Sequence, residues 1–286
     1  MARILVCGSL AFDLIGRFDL PLGPTTRNVK LDRLDEGFGG CAMNIAYSLA
    51  RLGHEAVPLV YVGSDYEPVY AAHVRRTGIS EIGIVCDAAE RCARGIVLTG
   101  SDGEQITAFY PGNSGVARLA DDLHALLDRV RFDAAILAPD LVQKTRIAAT
   151  ALAAVPLRVW CPGQYAEVTD PAAAVELGTA TDLVVVNRHE YRELFGPDPT
   201  MHPAARVARR IVVTDGPEPI EVLPEGLVLR VPAIPREQWR DPTGCGDAFV
   251  AALTGALADG RALADAVQAG SELAARCLRH TGAQAH

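Results

Sequence analysis

Short apolar runs recur along this chain, each closed by glycine, proline or asparagine and followed by a stretch of helical spacing. Residues 3–8 (RILVCG) form the first run. Residues 57–63 (VPLVYVG), 133–139 (DAAILAP), 158–163 (RVWCPG), 182–187 (DLVVVN) and 210–216 (RIVVTDG) repeat it. Unbroken apolar runs of this length predict strands buried on both faces, as in a parallel sheet. Residues 44–53 (NIAYSLARLG) place Ile45, Leu49 and Leu52 on one helical face and stop at Gly53, a residue suited to the left-handed turn that ends a helix. Residues 124–130, 144–155, 189–195 and 250–258 also read as helices.

Strands alternating with helices predict an α/β fold, with a central, mostly parallel sheet between two helical layers. Two stretches break the alternation. Residues 14–36 alternate polar and apolar positions (NVKLDRL) with no helical spacing. Residues 93–111 read as a hairpin, ARGIVLTG and QITAFYP about the turn SDGE. Both suit a small β-flap beside the main sheet, whose exposed strand edges offer a route to a homodimer. No internal repeat, low-complexity tract or long linker divides the chain, so residues 1–286 are expected to form one domain.

The 286 residues are 49% hydrophobic, enough for a substantial core. The net charge of −8 is spread along the chain and no Lys/Arg-rich run appears, which argues against nucleic acid or an anionic membrane as partner. The first residues lack the pattern of a secretory signal, and no apolar run approaches the ~20 residues that span a bilayer. Seven scattered cysteines without a C-x-x-C pair read as reduced thiols of a cytoplasmic protein, neither a disulfide frame nor a zinc site.

Lysine narrows the chemistry. Only Lys30 and Lys144 are present, and neither follows a glycine. A P-loop NTPase needs G-x-x-x-x-G-K-[ST], and a protein kinase needs its strand lysine and H-R-D loop, so both classes are excluded. A single glycine in VCGSLAFD is a poor Rossmann fingerprint.

Residues 241–249 (DPTGCGDAF) provide another way to hold phosphate. Gly244 and Gly246 bend the chain and bare its amides where a helix begins, and a helix N-terminus attracts anions without a lysine. Asp247 falls in the first turn, where the helix is expected to lower its pKa. Taken alone it reads better as a residue that merely complements the helix dipole. Gly39 and Gly40 precede a second helix that carries Asn44, and Asp13 follows the first strand, where α/β sheets bind ligands. Asp13 and Asn44 together can grip vicinal hydroxyls, though each alone is as good a turn or cap residue. Asn187 and Glu190, spaced N-x-x-E, suit the water shell of a magnesium ion or a helix cap. Thr214 and Gly216 close a further strand where a nucleotide phosphate can lie.

These elements, in this order, resemble the ribokinase-like (PfkB) family of carbohydrate and nucleoside kinases, with GSLAFD, GGCAMNIA, NRHE and DPTGCGDAF as the matching stretches. The resemblance implies a ribokinase-like α/β/α fold with a small β-sheet lid at about 14–36 and 93–111. It implies an ATP-dependent transfer of the γ-phosphate to a primary hydroxyl, with Mg2+ and with a monovalent-cation requirement left open. Asp247 is then the base, and Gly244, Cys245 and Gly246 form the anion hole. Asp13, Gly39, Gly40 and Asn44 bind the sugar, Asn187 and Glu190 serve magnesium, and Thr214, Gly216 and Thr243 lie along the ATP. QITAFYPGNSG, VWCPGQ and LRHTGAQ are similar to bacterial and archaeal adenosine-kinase-like members, which implies a nucleoside, adenosine-like, as acceptor. Phe12, Phe109 and Tyr110 offer faces for a base, or else cross-strand packing. A free sugar such as ribose or fructose, and a binding module without turnover, remain the alternatives. The chain departs from the pattern at Cys161, where an aspartate is expected, in TDGPEP, which lacks the second glycine of T-x-G-x-x-G, and in a short stretch between NRHEYRELF and RRIVV with little room for a helix.

Overall fold

A computed structural model describes residues 1–23, 26–102, 104–196 and 209–286, and in it the chain builds two sheets. The larger contains β1 (Arg3–Cys7), β4 (Glu55–Val62), β5 (Ile84–Cys86), β8 (Ala134–Leu137), β9 (Leu157–Trp160), β10 (Leu183–Asn187), β11 (Ile211–Asp215), β12 (Glu218–Leu223) and β13 (Leu227–Leu229), in the order β13-β12-β11-β10-β9-β8-β1-β4-β5. Neighbours from β5 to β11 run parallel, and the β12–β13 hairpin closes the edge antiparallel. Each apolar run quoted above supplies one parallel strand. The order reverses at β1, flanked by β8 and β4, and such a switch point opens a crevice at the carboxyl ends of the strands.

Successive side chains of a strand point to opposite faces, so each core strand serves two helical layers. In β1, Ile4 and Val6 join the core beneath α1 (Cys41–Arg51), α2 (Val69–Thr77), α7 (Cys245–Ala258) and α8 (Leu263–Cys277). Leu5 and Cys7 join the opposite core, beneath α3 (Leu119–Arg129), α4 (Val142–Ala151), α5 (Pro171–Ala180) and α6 (Arg188–Phe195). The fold is therefore three-layered α/β/α, as the periodicity predicts. Ile4 is fully buried, and truncating such a residue to alanine costs about 2–5 kcal/mol.

The smaller sheet has the order β3-β2-β6-β7, from β2 (Ala11–Arg17), β3 (Arg33–Gly39), β6 (Ala93–Thr99) and β7 (Gln105–Tyr110). The outer pairs are antiparallel and the central β2–β6 pair is parallel. The predicted hairpin at 93–111 is thus β6–β7. Strands occupy only the ends of the 14–36 stretch, and β2 begins earlier, at Ala11. β3 runs through Gly39 and Gly40 directly into α1, which ties the small sheet to the main body. Gly40 has φ 88°, and a Cβ there would meet the Ser9 carbonyl at 2.5 Å and the Ala11 amide at 2.6 Å. The short β5, α2, α5 and the β12–β13 hairpin carried too little periodicity to be read in advance. The stretch between NRHEYRELF and RRIVV, residues 197–208, lies outside the described residues.

Candidate active site

DPTGCGDAF builds the head of the site. Asp241 accepts hydrogen bonds from the Thr243 amide and the Gly282 amide, both at 2.9 Å, and so pins the loop to the C-terminal segment. Gly244 then adopts φ 81°, where L-residues are strained, and a Cβ would overlap Ala283. The loop thereby delivers α7 with no side-chain cap. Its Cys245 amide is engaged by the Pro242 carbonyl at 3.1 Å. The amides of Gly244 and Gly246 have no protein acceptor among the described residues. Orphan amides at a helix start are a ready anion site. Of the three expected donors, two are open and Cys245 is occupied.

Asp247, in the first turn of α7, accepts a 2.8 Å hydrogen bond from Asn44 Nδ2 at its Oδ2. Its carboxyl is pushed up to about 7. Burial is the main cause, Asp13 and Glu190 add to it, and the Asn44 donor opposes it. From sequence alone the helix terminus is expected to lower this group. Burial beside two other carboxylates outweighs the dipole.

Asp13 lies on β2 of the small sheet, which begins at Ala11, just after β1 ends at Cys7. Glycines surround it. A Cβ on Gly39 would overlap its carboxylate, and one on Gly95 would come within 2.7 Å of Oδ1. Its pKa is pushed up to about 6, by burial first and then by Asp241. Asp13 is in register with Gly37 on β3 and Gly95 on β6, and Gly95 with Phe109 on β7. Residues in one cross-strand row share a face, so Asp13 and Phe109 flank a gap left by Gly95. Phe12 points to the other face, in edge contact with Tyr70 and beneath the Arg94 guanidinium. Tyr110 shares that face in register with Arg94.

Beyond Asp247 opens a cleft of about 450 Å³ between the N-termini of α6 and α7, with Asn187, Glu190, Thr214, Gly244, Gly246 and Asp247 among its walls. Asp13, Gly39, Gly40 and Asn44 lie outside these walls and join the cleft through the Asn44–Asp247 bond. Gly216, in the exposed β11–β12 turn, and Thr243 also lie outside them. Cys161 is a wall residue whose thiol donates to the Leu137 carbonyl at 3.5 Å. Burial, then Asp247 and Glu190, raise its pKa well above the ordinary thiol value, so it stays neutral. Cys41, Gln164 and His189 also line the cleft; they sit within GGCAMNIA, VWCPGQ and NRHE, although none is singled out there as a site residue.

Asn187 and Glu190 close a reciprocal capping box on α6. Asn187 Oδ1 accepts from the Glu190 amide at 2.9 Å, and Glu190 accepts from the Asn187 amide at 3.0 Å and from Asn187 Nδ2 at 2.7 Å. Each Glu190 oxygen accepts one of these bonds and the residue lines the cleft, an arrangement that suits the water shell of a magnesium ion better than direct ligation. No cluster of three metal-ligating side chains occurs among the described residues. Among the described residues no lysine or arginine lines the cleft, while Glu167, Glu190 and Asp247 do. A polyphosphate needs a divalent cation in such surroundings.

The chain thus joins a mostly parallel sheet, a glycine-led helix start with an aspartate in its first turn, and a second small sheet bearing Asp13. The family model for pfkB family carbohydrate kinases matches residues 1–286, and the chain belongs to that family. It is accordingly an ATP-dependent phosphotransferase with a hydroxyl group as acceptor. The chain is 26% identical over 285 residues to the nucleoside kinase of Methanothermobacter thermautotrophicus, covering 98% of this chain and 91% of that protein. Among solved structures it is similar to the Burkholderia thailandensis nucleoside kinase in complex with inosine, at 28% identity, TM-score 0.82 and coverage of 98% and 93%. The Thermotoga maritima ribokinase shares the fold, at 20% identity, TM-score 0.82 and coverage of 99% and 95%. No helix among the described residues is long and apolar enough to cross a membrane.

Proposed function

We propose that this chain phosphorylates the primary hydroxyl of a purine nucleoside, with Asp247 as base. The observation that carries the acceptor class is the row Asp13–Gly95–Phe109. It supports a carboxylate for ribose hydroxyls and, one strand beyond a side-chain gap, an aromatic face of the kind a base stacks on. A free sugar has no use for that second part. The inosine bound by the Burkholderia relative supports the same class. Adenosine and inosine both fit this reading.

Asp13 and Asn44 hold the ribose, with Gly39 and Gly40 keeping the backbone close. The acceptor oxygen forms a bond to the γ-phosphorus, the bond from that phosphorus to the β–γ bridging oxygen breaks, and the hydroxyl proton passes to Asp247. The open amides of Gly244 and Gly246 receive charge on the transferred group. Cys245 serves the same hole through its place in the turn. Thr214, with Thr243 and Gly216 nearer the rim, holds the nucleotide. Glu190 and Asn187 would hold Mg2+ through water, and the ion would supply the charge that neutralises the phosphates. A monovalent cation is a further candidate requirement. The whole chain then works as one kinase domain, and the small sheet acts as its lid. Leu34, Ile106, Phe109 and Tyr110 expose about half of their surface on that sheet, which supports a homodimer through the lid. Seven free thiols and the need for ATP support a cytoplasmic site of action.

The test is ATP-to-ADP conversion with Mg2+ against panels of nucleosides and free sugars. Turnover with inosine or adenosine is expected. Turnover with sugars alone would move the reading to a sugar kinase, and binding without turnover to a non-catalytic module.

A further inference from the structure

Behind Asn44 runs a chain of hydrogen bonds whose donors all point the same way. Arg76 Nη2 lies 3.0 Å from His73 Nδ1 and can only donate. That bond makes Nδ1 the acceptor and places the ring proton on Nε2, which lies 2.8 Å from Gln284 Oε1. Gln284 Nε2 donates to Asn44 Oδ1 at 2.9 Å and to the Tyr70 hydroxyl at 3.0 Å. The Tyr70 hydroxyl in turn donates to the Gly39 carbonyl at 2.7 Å. With its oxygen held, Asn44 presents Nδ2 to Asp247 Oδ2. His73 is itself clamped, stacked on Phe38 with centroids 3.8 Å apart and planes 7° apart.

Every link is specific about direction. A flipped Gln284 amide would set N–H against N–H at His73. A flipped Asn44 would set its carbonyl against the Asp247 carboxylate. We propose that His73 and Gln284 are positioning residues for the phosphoryl-transfer step: they fix the Asn44 amide so that it ties down Asp247 Oδ2 and holds the carboxylate in place to take the acceptor proton. Gln284 touches neither nucleotide nor acceptor in this scheme; it acts through Asn44, and His73 acts through Gln284. The contact with Tyr70 lets the same amide steady Gly39, beside Asp13, so one side chain aligns both ends of the acceptor site. The titratable groups that face Asp247 are the Cys41 thiol of α1, which hydrogen-bonds to it and favours its charged form, the Cys161 thiol, Asp13 of β2 and Glu190 of α6, and Arg76 of α2 heads the chain.

The inference rests on Asp247 being the base, and three variants keep the two apart. Gln284→Met removes the amide at similar length. His73→Phe keeps an aromatic ring for the Phe38 stack but donates nothing. Asp247→Asn tests the base itself. Gln284→Met is expected to lower kcat about ten- to a hundredfold, with a smaller change in the KM for ATP. The acid limb of its kcat–pH profile should move to higher pH, since Asp247 loses a donor that favours its charged form. His73→Phe should shift both in the same direction by less. The double variant should be no slower than Gln284→Met, because the two residues act in series. Wild-type kcat and an unmoved acid limb in folded Gln284→Met, or fully additive losses in the double variant, would overturn the inference. Should Gln284→Met not fold, the kcat and pH profile of His73→Phe decide by the same criteria. An inactive Asp247→Asn beside a normal Gln284→Met sinks the positioning role alone. An active Asp247→Asn sinks both.

Discussion

Two helices point their N-termini into the same cleft and are finished in opposite ways. α6 closes its first turn with the Asn187–Glu190 box, which gives the Asn187 and Glu190 amides side-chain acceptors. α7 starts at Gly244 with no side-chain cap and leaves the Gly244 and Gly246 amides open. A good cap contributes about 1 kcal/mol, so the bare terminus forgoes stability that its neighbour retains. The difference separates a helix end that is part of the scaffold from one kept for a ligand. With no basic side chain among the described residues of the cleft walls, the open end supplies the positive field.

The largest effect is expected at Asp247. Asp247→Asn should lower kcat about 10²–10⁴-fold, the range for a positioned base. It should also stabilise the fold. A carboxyl raised to about 7 in the folded state contributes stability below its unfolded value near 4 and loses it as pH rises through 7. The variant should therefore match wild type at pH 4 in thermal unfolding and exceed it at pH 8, by about 1–3 kcal/mol. Equal stability at both pH values would break the claim that burial strains this group. In the wild-type enzyme, kcat/KM for the nucleoside should fall about tenfold per pH unit below about 7.

Next comes Gly246→Ala. A Cβ there meets no protein atom and no positive φ opposes it, while the residue lines the cleft. Thermal stability should hold or rise by about 0.5–1 kcal/mol, and the KM for ATP should rise about tenfold, as an anion loses close approach to the amide. If ATP kinetics do not change, the open terminus is not the phosphate site. Gly244→Ala, by contrast, should lose stability outright, from φ 81° and the overlap with Ala283.

The smallest effects belong to α6. Glu190→Gln can keep the capping box, so stability should stay within about 0.5 kcal/mol. A several-fold rise in the Mg2+ concentration for half-maximal rate would mark Glu190 as more than a cap. Asn187→Ala should cost about 1 kcal/mol in denaturant unfolding. An unchanged midpoint would erase the contrast between the two helix ends.

How much of this was legible beforehand follows from the range of each interaction. Buried parallel strands announce themselves as apolar runs, so β1, β4 and β8 to β11 were readable, whereas a three-residue strand such as β5 has no period to detect. DPTGCGDAF and N-x-x-E are local in sequence, and their positions at helix starts were readable for the same reason. The placement of Asp13 on the small sheet was not, because AFD reads equally as loop or strand until Gly39 and Gly95 are seen to make room for it. The pKa of Asp247 was misjudged because burial depends on residues far away in the chain. Gln284, 240 residues from Asn44, left no signal that spacing could reveal.

The Asn44–Asp247 bond joins residues 203 positions apart. Such a contact closes only after the intervening sheet has assembled, because loop-closure entropy defers distant pairings. During synthesis the acceptor side of the site therefore emerges long before its base. In a refolding experiment, enzymatic activity becomes a reporter of the final docking of the two halves, regained after secondary structure and never ahead of it.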